Sequence, residues 1–468
     1  MAKRSTASGT ECAVRRIGHR NHQRPPPGHA ILYNMIPFLL TAPGPIQDVR
    51  LADYDGDGDR EVIVTAQRSD GGLDLKIIDL DTDGRPRHSS LTLPAVAAWW
   101  DAGHGLWVLD SDGLRTLPGA QHIAVGQSPL GGIGPTTPVL APLVTNLDHD
   151  GQVELVLWET GAVSVVGEDG VSWGRIGLQA AGVLSVESWS GGMVLQVATR
   201  PPPITTADFD GDGIDDFVVI RDDVLEIHFT QTGRLSASTA RWPLPALLAP
   251  ASAERSTADG FTTSAHWRDL TGDGRADLLI HRIASDGRLT GTEAELSLLT
   301  NTGRSLSAPQ IIRTGAGSQD AFPIDLDGDG DLDVLIPQVV LAVGNLAQAI
   351  LTRSVDVTLV AHMMQDARLG PAVPLFDVSL PLEGGKGAAW SLFEDIDGDG
   401  LPDLAVAVDG LLTCYRGQGT SVERAVMGTA ALNAPVENLW AADLTGDGRA
   451  ELIGWAPGAR ELVVVRSQ

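Results

Sequence analysis

The chain has 468 residues, a formal net charge of −27, 43 % hydrophobic residues and 54 glycines. The acidic balance excludes non-specific nucleic-acid binding, which needs a basic footprint, and no apolar run reaches the ~18 residues of a membrane span. Two cysteines, Cys12 and Cys414, with no CxxC pair, exclude a disulfide framework and a zinc ribbon.

Residues 1–30 carry Lys3, Arg4, Arg15, Arg16, Arg20 and Arg24 against Glu11 alone, and include "RPPPG". This is the composition of a basic, disordered tail; residues 31–468 read as one domain. The segment "ILYNMIPFLLTA" that follows the tail has two readings. One is a signal-type apolar region ending at Ala42, which Asn34 and Pro37 disfavour. The other, preferred, is a strand that closes the fold.

From Asp53 onward an acidic nonamer recurs: DYDGDGDRE, then NLDHDGQVE from Asn146, DFDGDGIDD from Asp208, DLTGDGRAD from Asp269, DLDGDGDLD from Asp325, DIDGDGLPD from Asp395 and DLTGDGRAE from Asp443. Self-similarity of this kind is the mark of a repeat architecture. These loops hold 28 of the 60 acids and three arginines, a net of −25, so the remaining chain is nearly neutral at −2. The acidity therefore serves the loops.

The pattern fits an all-oxygen cation site. Calcium takes roughly 6–8 oxygen ligands at about 2.3–2.6 Å. Position 1 supplies Asp53, Asn146, Asp208, Asp269, Asp325, Asp395 and Asp443; position 3 supplies Asp55, Asp148, Asp210, Thr271, Asp327, Asp397 and Thr445. Position 5 is invariably Asp: Asp57, Asp150, Asp212, Asp273, Asp329, Asp399 and Asp447. Position 7 varies freely (Asp59, Gln152, Ile214, Arg275, Asp331, Leu401, Arg449), as expected of a residue contributing its backbone carbonyl. Position 9 is always acidic: Glu61, Glu154, Asp216, Asp277, Asp333, Asp403 and Glu451. Up to seven calcium ions are expected, bound more weakly at the Asn146, Asp269 and Asp443 loops, where an acid is missing. An EF-hand is excluded, because position 12 is never acidic (Val64, Leu157, Val219, Ile280, Ile336, Val406, Gly454) and the flanks read as strands.

Each loop is followed by a strand and then usually by a hairpin, as at Asp83–Gly84, Thr232–Gly233 and Thr302–Gly303. Strand, loop, strand, turn, strand, turn, strand makes a four-stranded antiparallel unit, and its repetition around an axis makes an all-β propeller. The nonamers and their flanks resemble FG-GAP/VCBS-type repeats, which also build integrin α-subunit heads. The resemblance covers about residues 31–468 and implies that each loop joins the first two strands of a blade at one face and holds calcium. The literal FG…GAP part survives only in traces such as "GRSLSAP". The long first interval, Asp53 to Asn146, hides a further blade in "AVAAWWDAGHGLWVLDSDGLRTLPGAQHIAVG", with a plain turn at Ala102–His104. The expectation is eight blades, seven with calcium loops; seven blades with an insertion is the alternative. The last blade lacks an outer strand, and the segment before Asp53 can supply it.

No HExxH occurs, "GIGPTTP" lacks a phosphate-loop ending, and His149 reads as a solvated turn residue. Several tryptophans, among them Trp99, Trp100, Trp267, Trp390 and Trp440, precede loops or strands. They read as packing between blades, with sugar stacking as the functional alternative; Trp107 and Trp158 read as core. The function expected is a non-catalytic, calcium-stabilised, monomeric binding or adhesion module for a protein or glycan, in an extracellular, cell-surface or periplasmic setting. The alternative is a polysaccharide lyase on the same propeller. It is disfavoured because the chain has only Lys3, Lys76 and Lys386 to furnish lysine bases.

Overall fold

The computed structural model describes residues 33–467 apart from 56, 58, 71, 82–84, 94–97, 102–105, 111–112, 118–121, 124–143, 150–153, 160–161, 168–170, 179–180, 190–191, 201–203, 222–223, 244–260, 286–291, 316–319, 340–352 and 382–387. The tail, the Asp83–Gly84 hairpin turn, the turn at Ala102–His104, and Asp150 and Gln152 lie outside the described residues. So do the side chains of Trp99, Trp100, Trp107 and Trp158.

All regular structure among the described residues is β. The opening strand, β1 (Tyr33–Thr41), is followed by a four-stranded sheet of β2 (Ile46–Ala52), β3 (Glu61–Gln67), β4 (Leu73–Leu80) and β5 (Pro86–Leu93). The next is β6 (Ala98–Asp101), β7 (Leu106–Asp110), β8 (Gly113–Leu117) and β9 (His122–Ile123). Then come β10 (Val144–Thr145), β11 (Glu154–Glu159), β12 (Ala162–Val166) and β13 (Ser172–Gly177), and after them a separate hairpin, β14 (Ala181–Trp189) with β15 (Gly192–Arg200). Further sheets are β16 (Ile204–Ala207), β17 (Asp216–Arg221), β18 (Val224–Gln231) and β19 (Arg234–Pro243), then β20 (Phe261–Arg268), β21 (Asp277–Ser285), β22 (Thr292–Leu299) and β23 (Gln310–Arg313). β24 (Phe322–Ile324), β25 (Asp333–Val339), β26 (Ser354–Gln365) and β27 (Arg368–Pro381) form another. Within each sheet neighbouring strands are antiparallel and consecutive in the chain.

The chain ends in a nearly closed eight-stranded sheet. It contains β28 (Ala388–Glu394), β29 (Asp403–Val408), β30 (Leu411–Gly417), β31 (Val422–Ala431), β32 (Asn438–Ala442), β33 (Glu451–Trp455) and β34 (Glu461–Ser467), joined through β1. β1 runs antiparallel to β34 from Met35↔Ser467 to Thr41↔Glu461, and only Tyr33 and Asn34 pair, in parallel, with Gly428 and Thr429 of β31. The opening segment thus covers the edge of β34 that the sequence leaves unpaired. Met35 and Leu40 are buried in doing so.

The strand after each acidic loop is buried on both faces. β3, "EVIVTAQ", is buried at all but its last residue, and β33, "ELIGW", throughout. This is why those runs are continuously apolar instead of alternating: each is covered by a neighbouring sheet on either side. The fourth strands lie at the rim, so β5, "PRHSSLTL", is largely exposed. Apolar clusters bridge successive sheets. One joins Leu279 and Leu296 to Val334 and Ile336, another joins Leu335 and Leu359 to Leu404 and Val406. A third joins Ile453, Leu462 and Val464 of the last strands to Val49, Val62 and Ile78 of the first sheet. That last contact makes the arrangement propeller-like: the end of the chain packs on its beginning.

Phe209 meets both Trp242 and Trp267, at centroid distances of 5.8 and 5.2 Å, and Phe322 meets Trp390 at 6.3 Å. These tryptophans pack the seams between sheets. Trp440 on β32 is 36 % exposed and belongs to none of these three pairs. Cys414 is a free, fully buried thiol, which burial pushes far up in pKa.

Candidate metal centres

Every acidic loop joins two consecutive antiparallel strands, in six of the seven the first two of their sheet: Asp53 between β2 and β3, Asn146 between β10 and β11, Asp208 between β16 and β17. Asp269 lies between β20 and β21, Asp325 between β24 and β25, Asp395 between β28 and β29, and Asp443 between β32 and β33.

The position-9 acid anchors the loop. In all seven loops its carboxylate accepts the backbone N–H of position 2: Tyr54 to Glu61, Leu147 to Glu154 (2.7 Å), Phe209 to Asp216 (3.0 Å), Leu270 to Asp277 (3.1 Å), Leu326 to Asp333 (3.1 Å), Ile396 to Asp403 (3.0 Å) and Leu444 to Glu451 (2.9 Å). In four loops the other oxygen accepts a second backbone N–H, from Thr230, Asn301, Met364 or Gly417, at 2.7–2.8 Å. All seven acids are at most 2 % exposed. The apolar residue at position 2 points into the core, as Leu147, Phe209, Leu270 and Leu444 show. Sequence reasoning treated position 9 as a closing ligand and missed this tie.

Position 1 shapes the turn. Asp208 accepts N–H bonds from Gly211 (2.7 Å) and Gly213 (2.8 Å), and Asp325 from Gly328 (2.7 Å) and Gly330 (3.1 Å). Position 5 accepts the N–H of position 7, as in Asp329 from Asp331 at 2.9 Å. The Gly residues at positions 4 and 6 take left-handed conformations, for example Gly272 at φ 68° and Gly274 at φ 83°, which a side chain disfavours. His149 adopts the same region at φ 54°; its ring is exposed and stands 3.8 Å from Asp215.

The turns converge carboxylates. Asp53, Asp55 and Asp57 each bring an oxygen within 4.8 Å of the others, and so do Asp208, Asp210 and Asp216; Asp325, Asp327 and Asp333; and Asp395, Asp397 and Asp399. Oxygens around an ion with bonds near 2.4 Å can be at most about 4.8 Å apart, so the spacing fits calcium. In the Asn146 loop the buried Asn146 Oδ1 has no hydrogen-bond partner, which leaves an acceptor for a cation. Charge is not balanced in most loops. Burial pushes Glu61 up to about 7, Asp216 to about 7, Asp333 to about 6 and Glu451 to about 7. Asp403 rises to about 8, first by burial and then by Asp397 beside it. Asp55, Asp210 and Asp327 also rise, by burial and then by the neighbouring position-5 acid.

Two loops have arginine partners that sequence reasoning did not find. Arg416 on β30 donates to Asp397 Oδ2, with both side chains mostly buried. Arg466 on β34 donates to Asp447 at 2.9 Å and stands 3.4 Å from Glu451. Both lie at the far end of the blade's later strands, 19 residues beyond the acid they meet.

These strands and loops define a class: a propeller-like arrangement of sheets that carries FG-GAP-like repeats. The FG-GAP-like repeat model matches residues 208–280, 269–336 and 395–454, which carry five of the loops; the Asp53 and Asn146 loops lie outside the matches. No curated protein sequence matches the chain. Among solved structures, the chain is similar to hydrazine synthase of Kuenenia stuttgartiensis, at 10 % identity over 91 % of this chain and 96 % of that one, with a TM-score of 0.35. At that score nothing of the neighbour's chemistry carries over.

Proposed function

We propose that the chain is a calcium-stabilised, non-catalytic binding propeller for a protein or glycan that works outside the cytoplasm. The wheel has eight blades: the four-stranded sheets starting at β2, β6, β10, β16, β20 and β24, then β28–β31, and finally β32–β34 completed by β1. The β14–β15 hairpin is an insertion. The supporting observation is the set of carboxylate clusters, three oxygens within 4.8 Å in each of four loops. Like charges so close repel unless a cation lies among them.

Calcium supplies that charge. The side chains of positions 1, 3 and 5 hold it, and the position-9 carboxylate can share its remaining lone pairs. Seven ions would change the formal charge from −27 to −13. Extracellular calcium modules bind with dissociation constants around 10⁻⁴–10⁻³ M, suited to the millimolar calcium outside cells. The lyase alternative is weakened by the scarcity of lysines, three in the chain, of which Lys76 donates its ammonium to the Thr41 carbonyl at 2.5 Å.

Thermal unfolding with calcium and with a chelator tests this reading. Each ion bound to the native state alone stabilises it by mass action, so chelation lowers Tm and added calcium restores it. Identical curves would remove the metal from the proposal.

A further inference from the structure

Three histidines whose Nε2 has no hydrogen-bond partner among the described residues, His266, His281 and His362, line one seam. The seam lies between the β20–β23 sheet and the β24–β27 sheet, where Leu279 and Leu296 pack against Val334 and Ile336. Register sets the histidines on its two faces, because directly paired residues point to the same side of a sheet. Ser264 pairs with His281, His266 with Leu279 and His281 with Leu296, so Ser264, His266 and His281 share the face of Leu279 and Leu296. On the opposite sheet His362 pairs with Val334 and shares its face.

The polar groups of the seam differ in what surrounds them. Asp320, on the segment before β24, accepts the Ser264 hydroxyl at 2.7 Å and the Ala321 N–H at 2.9 Å, and its Oδ1 stands 4.0 Å from His266 Nε2. The Asp320 and His266 side chains are 50 % and 30 % exposed. His281 and His362, by contrast, are 1 % and 2 % exposed. The His362 Nδ1 lies 2.9 Å from the Gly370 carbonyl, which can only accept, so Nδ1 carries the proton and Nε2 a lone pair. Burial pushes His281 below its ordinary value; Asp320 opposes that and His266 adds to it. Arg268 and Asp277 lie at the loop end of the same face, where the Asp277 carboxylate is bonded to the N–H groups of Leu270 and Asn301. A neutral His281 thus sits among leucines, and a proton added to it puts a charge into the apolar seam.

We propose that this seam is a pH-sensitive joint of the wheel: mild acid charges His281 and loosens the β20–β23 sheet from the β24–β27 sheet. A buried charge is costly unless it is paired and hydrogen-bonded, and Asp320, the acid that acts on His281, is held toward Ser264 and Ala321. Opening the seam lets water solvate the charged ring. The opened state binds the proton more tightly than the closed one, so closure is complete above about pH 6.5 and weakens as pH falls below it. His266, His281, His362 and Asp320 all lie outside the acidic loops, so the joint stands whether or not those loops take calcium.

Hydrogen exchange of the full chain, followed by mass spectrometry at pH 7.5 and pH 5.5 in the same buffer, tests the proposal on wild type and on His281→Leu. Protection is corrected for the intrinsic effect of pH on exchange. At β21 and β25 the wild type is expected to lose up to about tenfold more protection than His281→Leu between the two pH values, while the β2–β5 sheet shows no such difference. Asp333, pushed up to about 6, drives stability the other way as pH falls, but it does so in both proteins and cancels from the comparison. Equal changes in the two proteins at β21 and β25 would overturn the joint. A difference spread evenly over all the sheets would mean general unfolding and would overturn it too. His281→Gln is neutral at both pH values and is expected to behave as His281→Leu; it carries the comparison if the leucine variant does not fold.

Discussion

The Asp325 and Asp395 loops are the same motif in two charge environments. Both present three acids at positions 1, 3 and 5, both bury the position-9 carboxylate, and both bind the same backbone N–H groups with it. In the Asp395 loop Asp397 is buried at 5 % exposure and held by Arg416. Among the described residues the Asp325 loop has no such arginine, and its Asp327 is pushed up in pKa first by burial and then by the acids around it. One loop carries part of its own counter-charge; on the proposed calcium reading, the other would draw it from solution. A shared motif therefore does not mean a shared dependence on metal.

The largest expected effect is from chelation, which removes ions from the whole arc of loops. With several ions each contributing on the order of 2 kcal/mol at saturating calcium, Tm should fall by roughly 10 °C or more in a melt followed by circular dichroism. Breaking either loop at its anchor comes next. Asp333→Ala strands the N–H groups of Leu326 and Met364, and Asp403→Ala those of Ile396 and Gly417, so each should cost about 3 kcal/mol in denaturant unfolding. This loss should persist in chelator, because the tie is made by protein atoms alone.

The comparison sharpens with Arg416→Met. Leaving Asp397 buried without its partner should cost about 3 kcal/mol in chelator, and calcium should restore much of it, making the Asp395 loop as metal-dependent as the Asp325 loop. Unchanged stability in chelator would show that the pair does not balance the site. Per step of the variable changed, the smallest effect is the pH slope of calcium-free protein. Asp333 and Asp403 have folded-state values raised above the ordinary 3.8, to about 6 and about 8. Their protonated forms favour the fold, so their contribution is complete below about pH 4. It is lost as pH rises through 6 at Asp333 and through 8 at Asp403, at up to about 1.4 kcal/mol per pH unit for each group. Tm in chelator should thus be higher at pH 5 than at pH 8.5, with a flatter profile in calcium.

Much of this was legible in the sequence because the loops are local. Nine residues contain their turn glycines, their converging acids and the apolar residue at position 2 that seats them, and the buried run that follows fixes the second strand. The closing strand was legible because "MIPFLLTAPGPIQDVRLAD" matches the run before the final loop. The remainder was hidden because it depends on distance in the chain. Arg416 and Arg466 reach their acids only after two further strands return to the loop face. Asn301 hydrogen-bonds the Phe209 carbonyl, at 2.9 Å, across 92 residues. The β14–β15 hairpin was missed because the interval from Asn146 to Asp208 has the length of one ordinary repeat.

The pairing of β1 with β34 also has a consequence for biosynthesis. Thr41 leaves the ribosome some 420 residues ahead of its partner Glu461, which at about 5–20 residues per second is a wait of roughly 20–80 seconds. Throughout that interval Met35 and Leu40 have no final resting place, and the nascent polypeptide must tolerate a sticky segment until Glu461–Ser467 have emerged.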